Sequence, residues 1–394
     1  MTNNTTQGAL SGVRVLDLTD ERGIYGAKLL ADLGAETVRP EPLTGDPLRA
    51  RGPHVEGQGQ AKTSLWHTFF ASNRRFFSVD VDSAEGRAQL GQLVARADIV
   101  LTCSDTFALA AAQLDEAQQQ RPQLIVVDTS SFGPSGPWKD FLAPDLVAGA
   151  LAGFNATTGD ADTAPLMGFG ELNFMVSGAY IAIAALAALN HRRETGIGQQ
   201  VDISVHECIT SCLEHVLMSY WYDHLSPSTS PGLARQGALH WSQAYTVMNA
   251  KAGAIMVTPA PDLEAQIFWL VQEDAFEDLL DEKYSDPNNT LATTQRVMDV
   301  LQQWVAGKDA EQLFLEGQSR HCPYGLVLPI EGVGENPQLQ ARKWWVDYQT
   351  PTATIKGPGA PYHFSATPWS MAPYGGVGAD TQALLADIGW EQVQ

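Results

Sequence analysis

The sequence predicts a doubly wound α/β domain joined to a smaller α+β domain. Two observations carry that reading. From residue 13 to 128, short apolar runs alternate with helix-like stretches, and glycine marks the first turn between them. Between about 240 and 330 the rhythm changes to a hairpin followed by helices.

Val13 to Leu18 (VRVLDL) reads as the first strand, Tyr25 to Leu33 as a helix, and Gly34 to Arg39 as a turn into the second strand. Strand, helix and strand with glycine at the turn make a βαβ unit. Phe76 to Val81 is the next strand, and Ser83 to Arg96 a helix. Ser83 is its N-cap, since a serine hydroxyl accepts from an otherwise free first-turn N–H. Asp98 to Leu101 and Leu124 to Asp128 follow as strands, the latter apolar enough for burial on both faces. Residues 178 to 192 form a buried helix that Gly196-Ile197-Gly198 stops, and Val201 to Val205 is another strand. A long helix then runs from about His206 to His224, and Ser226 to Gly232 is a loop by composition. Ala244 to Met248 and Ala254 to Thr258 flank Lys251-Ala252-Gly253 as a hairpin, with helices following to Gly317. The Pro- and Gly-rich stretch from 350 to 380 suits a long extended return.

The 394 residues include 24 Lys+Arg against 45 Asp+Glu, a net charge of −21. A field of that sign repels nucleic acid and anionic membranes, so neither is expected as a partner. Hydrophobic content of 44% with 18% charged residues excludes general disorder. Four cysteines are too few for a disulfide scaffold and point to a reducing compartment. The opening MTNNTTQGAL lacks the pattern of a signal peptide, so the expected location is cytoplasmic. The longest apolar run, Ala179 to Leu189, falls well short of the ~20 residues that span a bilayer and reads as a buried helix.

Several chemistries are absent as motifs. No G-x-G-x-x-G opens a helix after a strand, no Walker-type lysine loop exists, and no G-x-S-x-G elbow is present. Cys208, Cys212 and His215 fall at i, i+4 and i+7, on one face of the long helix, but no fourth ligand accompanies them, so no metal is expected. The loop Asp128 to Asp145 follows a buried strand, where open α/β sheets place ligands; an ordinary surface crossover accounts for it equally well.

Segments distributed along almost the whole chain resemble the class III CoA-transferases, the group containing formyl-CoA transferase, carnitine CoA-transferase and alpha-methylacyl-CoA racemase. They are Leu10 to Leu18 (LSGVRVLDL), Leu29 to Arg39 (LLADLGAETVR), Gly45-Asp46, Ser72 to Arg75 (SNRR) and Ser131 to Pro137 (SFGPSGP). Gly178 to Val205 with Glu207, Asn336 to Arg342 (NPQLQAR) and Ser365 to Pro368 complete the series. The resemblance implies a Rossmann-like large domain built from both chain ends, 1–224 and 331–394, with a small α+β domain at 225–330. It also implies an interlinked-ring dimer, either a homodimer or a heteromer with a paralogous subunit. Coenzyme A and its acyl thioesters are then substrates, with no cofactor tightly bound. The reaction implied is CoA transfer to a carboxylic acid through an aspartate that attacks the thioester.

The departures from the family pattern bear on that reaction. The position of the family aspartate falls on Asn173 or its neighbour Phe174. A neutral amide cannot form the anhydride; Glu171 is the nearest carboxylate and a candidate substitute, and a helix N-cap is the ordinary role for Asn173. Arg39, Ser72, Asn73, Arg74, Arg75 and Lys139 occupy CoA-facing positions of the family. Asp105 stands where the family holds a phosphate-binding arginine, and Leu142 where formyl-CoA transferase is basic. The racemase histidine is replaced by Pro144, which removes the proton relay racemisation needs. Residues 259–262 (Pro-Ala-Pro-Asp) replace a glycine-rich lid. Two readings stay open: an active transferase using Glu171 (or a lyase-type activity on the same scaffold), and a nucleophile-deficient subunit working with an active paralogue.

Overall fold

The computed structural model describes residues 8–56, 62–103, 106–160, 162–222, 235, 246–258 and 263–388. Two compact units divide the chain. The first comprises Met1–Ala152, Gly168–Cys212 and Pro337–Gln394, the second Gly153–Met167 and Leu213–Asn336.

The first unit is built on six strands: β1 (Arg14–Leu18), β2 (Glu36–Glu41), β3 (Arg74–Ser78), β4 (Ile99–Cys103), β5 (Ile125–Ser130) and β6 (Gln200–Ser204). They pair in the order β3-β2-β1-β4-β5-β6, every pair parallel. This is the Rossmann order, with its switch point between β1 and β4. Alternate residues of the strands supply two cores, because successive strand side chains point to opposite faces. Val15, Ile99, Leu101, Ile125 and Val127 face one way, against helix α1 (Ile24–Asp32). Leu16, Val100 and Val126 face the other, against α3 (Ala84–Arg96) and the helix Thr381–Asp387. Ser83 caps α3 by accepting from the Gly86 N–H. Two further helices, α2 (Leu65–Phe70) and α4 (Asp145–Leu151), flank the site described below.

Helix α5 (Leu172–Thr195) is longer than its apolar run predicts, starting six residues before 178. Gly178 belongs to its interior because the backbone of α1 passes there: a Cβ at 178 would come within 2.9 Å of the Gly26 nitrogen. By length and composition α5 could cross a membrane, with a mean hydropathy of 1.9. Its Ile181, Ala182, Ala185, Ala188 and Leu189 are instead buried in the sheet's core. Gly196 ends it in the left-handed conformation.

The long helix expected from His206 to His224 is two helices, α6 (Val205–Ser211) and Glu214–Tyr222, which belong to different units. Thr210 and Ser211 donate their hydroxyls to the carbonyls of His206 and Glu207, a back-bonding that favours a break. The single face proposed for Cys208, Cys212 and His215 therefore does not continue, and the His215 side chain lies outside the described residues. Among the described residues no cluster of three metal-ligating side chains forms.

In the second unit Thr246–Asn249 and Ala254–Val257 pair antiparallel and Gly325–Leu326 adds a third strand. Met248, Ile255, Trp269, Trp304 and Tyr324 form its core. Back in the first unit, the Pro- and Gly-rich return contains an antiparallel hairpin, Trp345–Gln349 with Thr354–Pro358.

Candidate active site

Strand carboxyl ends at the switch point open onto a cavity of about 200 Å³, bordered by Asp17, Thr19, Arg39, Asp46, Thr106 and Phe107. Beneath it lies a charge network. Asp17 is fully buried and receives Arg39 at 3.0 Å and Arg74 at 2.8 Å. Burial alone would push its carboxyl up, but the two guanidinium groups outweigh burial and hold it below the usual range. Arg39 also donates to Asp46 at 2.7 Å, and Asp46 meets His67 Nε2 at 3.2 Å. The His67 Nδ1 contacts the Tyr374 hydroxyl at 2.6 Å. Burial pushes the imidazole down to about 4, against the upward pull of Asp46.

The six candidate CoA contacts do not converge on one opening. Arg39 borders the cavity, committed to its two carboxylates. Arg74 is buried beside it, donating also to the carbonyls of Phe70 and Ile24. Ser72 is buried against Lys28 at 2.8 Å, and Asn73 donates to Asp32 at 2.7 Å. Arg75 bridges Glu36 and Asp387. Lys139 is exposed on the loop after β5. Asp105 and residues 259–262 lie outside the described residues. A buried cation without a counter-charge is costly, and the acidic residues of this chain supply one to each buried arginine.

At the start of α5 the expected N-cap role of Asn173 is not what the structure has. The helix begins at Leu172, so Asn173 lies within its first turn. The cap comes from α4: Asp145 Oδ1 accepts the Phe174 N–H at 2.9 Å. Asn173 is buried, and its amide nitrogen donates to Asp145 Oδ2 at 2.8 Å and to the Asp145 carbonyl at 3.1 Å. The amide is thus locked as a donor.

Glu171, just before the helix, is equally engaged. One carboxylate oxygen pairs with Arg51, and the other accepts the Trp66 indole N–H at 3.0 Å. Arg51 stacks on Trp66 with its guanidinium 4.4 Å from the ring centroid. Burial pushes the Glu171 carboxyl up, and Arg51 and Trp66 pull it only part of the way back. Sequence reasoning missed Arg51, Trp66 and the Asp145–Asn173 pair. The only local signals were a cation shortly after Gly45-Asp46 and a tryptophan in an otherwise core-like LWHTFF run.

The family model for CoA-transferase family III matches residues 10–381. The chain belongs to this family. It is 28% identical to succinyl-CoA:(R)-benzylsuccinate CoA-transferase subunit BbsE of Thauera aromatica, over 96% of this chain and 94% of that one. It is 27% identical to the succinate–glutarate CoA-transferase of Agrobacterium fabrum, over 91% and 90%. A formyl-CoA:oxalate CoA-transferase of Afipia carboxidovorans is 24% identical over 96% and 93%. The crystal structure of a CAIB/BAIF family protein from Brucella suis superimposes with a TM-score of 0.83, covering 97% of this chain and all of that one at 23% identity. That likeness is one of fold, and it accords with the parallel central sheet.

Asn173 and Glu171, at the start of α5, are both bound to neighbours. Asn173 has no anionic oxygen, and both oxygens of Glu171 accept from donors.

Proposed function

We propose that this chain is a subunit of a CoA-transferase that moves CoA from an acyl-CoA thioester to a carboxylic acid, without itself carrying the acyl-enzyme nucleophile. A paralogous chain supplies the aspartate. In the covalent route a carboxylate attacks the thioester, expelling CoA thiolate and leaving a mixed anhydride; the thiolate then attacks the enzyme carbonyl, forming an enzyme–CoA thioester and freeing the first acid. An amide nitrogen whose lone pair is delocalised into its carbonyl, and whose hydrogens are both held by Asp145, cannot begin that sequence. The Asn173–Asp145 lock is the observation that carries this reading.

Lys139, exposed on the loop after β5, is the one of the six candidates best placed to meet CoA phosphates; Arg39 borders the cavity but is buried and paired with Asp17 and Asp46. The burial and pairing of Ser72 and Arg74 favour a structural role for them. A partner chain is supported by the apolar side chains that the first unit leaves in solvent: Leu142 is 84% exposed, and α4 shows Leu146, Val147 and Leu151 outward while burying Ala148. BbsE, a relative, is itself named as a subunit. The test is a CoA-exchange assay with succinyl-CoA and a panel of acids, on this chain alone and mixed with an aspartate-bearing paralogue. Turnover only in the mixture is expected; turnover by the purified chain alone overturns the proposal.

A further inference from the structure

We infer that Arg51 and Trp66 form a receptor for the carboxylate of a small organic acid, and that Glu171 is its removable internal occupant. This goes beyond the subunit reading, which assigns no acid-binding residue. Three features carry the inference.

The donors are built for a carboxylate. A guanidinium and an indole N–H meet the two oxygens of one carboxyl group, the arrangement a charge-assisted, two-point contact requires. The guanidinium lies over the indole, 4.4 Å from its centroid, which adds a cation–π attraction.

The donors are also rigid. The Arg51 carbonyl accepts from Ser64 Oγ, and its N–H donates to the Leu48 carbonyl at 3.1 Å. The same Ser64 hydroxyl caps α2, accepting the His67 N–H at 2.9 Å, so a single side chain ties Arg51 to the helix that carries Trp66.

The occupant, by contrast, is held on one side by glycines. Gly168 and Gly170 precede Glu171, Gly170 is in the left-handed region at φ 70°, and Phe169 between them is fully exposed. The Glu171 side chain makes no cap hydrogen bond to its own helix, so swinging it out costs the helix no cap. Arg51 is 37% exposed even with Glu171 in place, so an incoming anion can reach it. A carboxylate already resting there shows what chemistry the two donors accept.

The experiment is calorimetric titration of the full chain with succinate, butyrate and chloride, on wild type, Glu171→Ala, Glu171→Ala with Arg51→Met, and Trp66→Phe. Removing the internal carboxylate should raise succinate affinity at least tenfold over wild type, and adding Arg51→Met should abolish the gain. Trp66→Phe, which keeps the stack but loses the N–H, should weaken binding. Butyrate should bind measurably to Glu171→Ala, since a single carboxylate suffices. Glu171→Ser, which also vacates the two donors, repeats the test should Glu171→Ala fail to fold. No gain in affinity from either folded variant, or a gain that survives Arg51→Met, overturns the inference. Equal competition by chloride does so too, by showing an unselective anion site. The titration contains no thioester and no second chain, so its failure counts against the receptor alone.

Discussion

Replacing Asn173 with aspartate puts a carboxyl group directly against Asp145, and the surroundings should prevent it from working as a nucleophile. The Asn173 amide makes two donations to Asp145, at 2.8 and 3.1 Å, and a carboxylate makes neither. Losing a hydrogen bond to a charged acceptor costs roughly 1.5–3 kcal/mol. Two unit charges about 3 Å apart also repel by ~5 kcal/mol at an effective dielectric of ~20. The pair relieves that repulsion by retaining one proton, so the cost appears as a titration raised by about 2–3 units, or roughly 3–4 kcal/mol. The sign follows from linkage. A carboxyl whose folded value lies above its unfolded one holds its proton in the native state, so the penalty is absent below about pH 4 and grows as pH rises through the folded value. Urea denaturation of Asn173→Asp and wild type at pH 4.5 and pH 8 measures it. The stability deficit of the variant should be larger at pH 8 by about 2–4 kcal/mol. Incubation with acyl-CoA should give no acyl-enzyme, because the introduced carboxyl is occupied in sharing a proton with Asp145. A deficit independent of pH, or prompt acylation of the variant, would refute the reasoning.

Two further outcomes follow from the buried charges. Burial holds His67 down at about 4, so the unfolded chain takes up the proton first as pH falls. Stability present above pH 6.5 should then be lost towards pH 4, by about 3 kcal/mol over those 2.5 units. His67→Gln should flatten that part of the stability–pH curve, and an unchanged slope contradicts the assignment. Asp17→Ala leaves Arg39 and Arg74 without the carboxylate they share, and denaturation should show a loss of about 3–5 kcal/mol. A loss under about 1 kcal/mol would mean that the surviving partners of the two arginines suffice.

Much of the sheet was legible because parallel strands buried on both faces leave nearly continuous apolar runs, as at Ile99–Cys103 and Ile125–Ser130. Ser83 and Gly196 were readable too, since each acts through local backbone geometry. The start of α5 was placed six residues late, at the beginning of the continuous apolar run, and the close approach of α1 that demands Gly178 is contained in no local rule. The break after Ser211 depends on two hydroxyls bonding back into the preceding turn, and the hairpin near 350 was hidden by its prolines and glycines. Arg39 and Arg74 could be named as cations from sequence, but not as partners of one buried aspartate. The Arg51–Trp66–Glu171 arrangement sets Glu171 against two residues more than a hundred positions before it, and only the folded chain brings them together.

Intact-mass spectrometry after incubating the purified chain with succinyl-CoA tests the central claim most directly. A chain with Asn173 locked on Asp145 and Glu171 held by Arg51 and Trp66 should keep its unmodified mass, with no acyl or CoA adduct and no borohydride-reducible ester. A CoA-sized adduct mapping to Glu171 would contradict the account and make this chain a transferase in its own right.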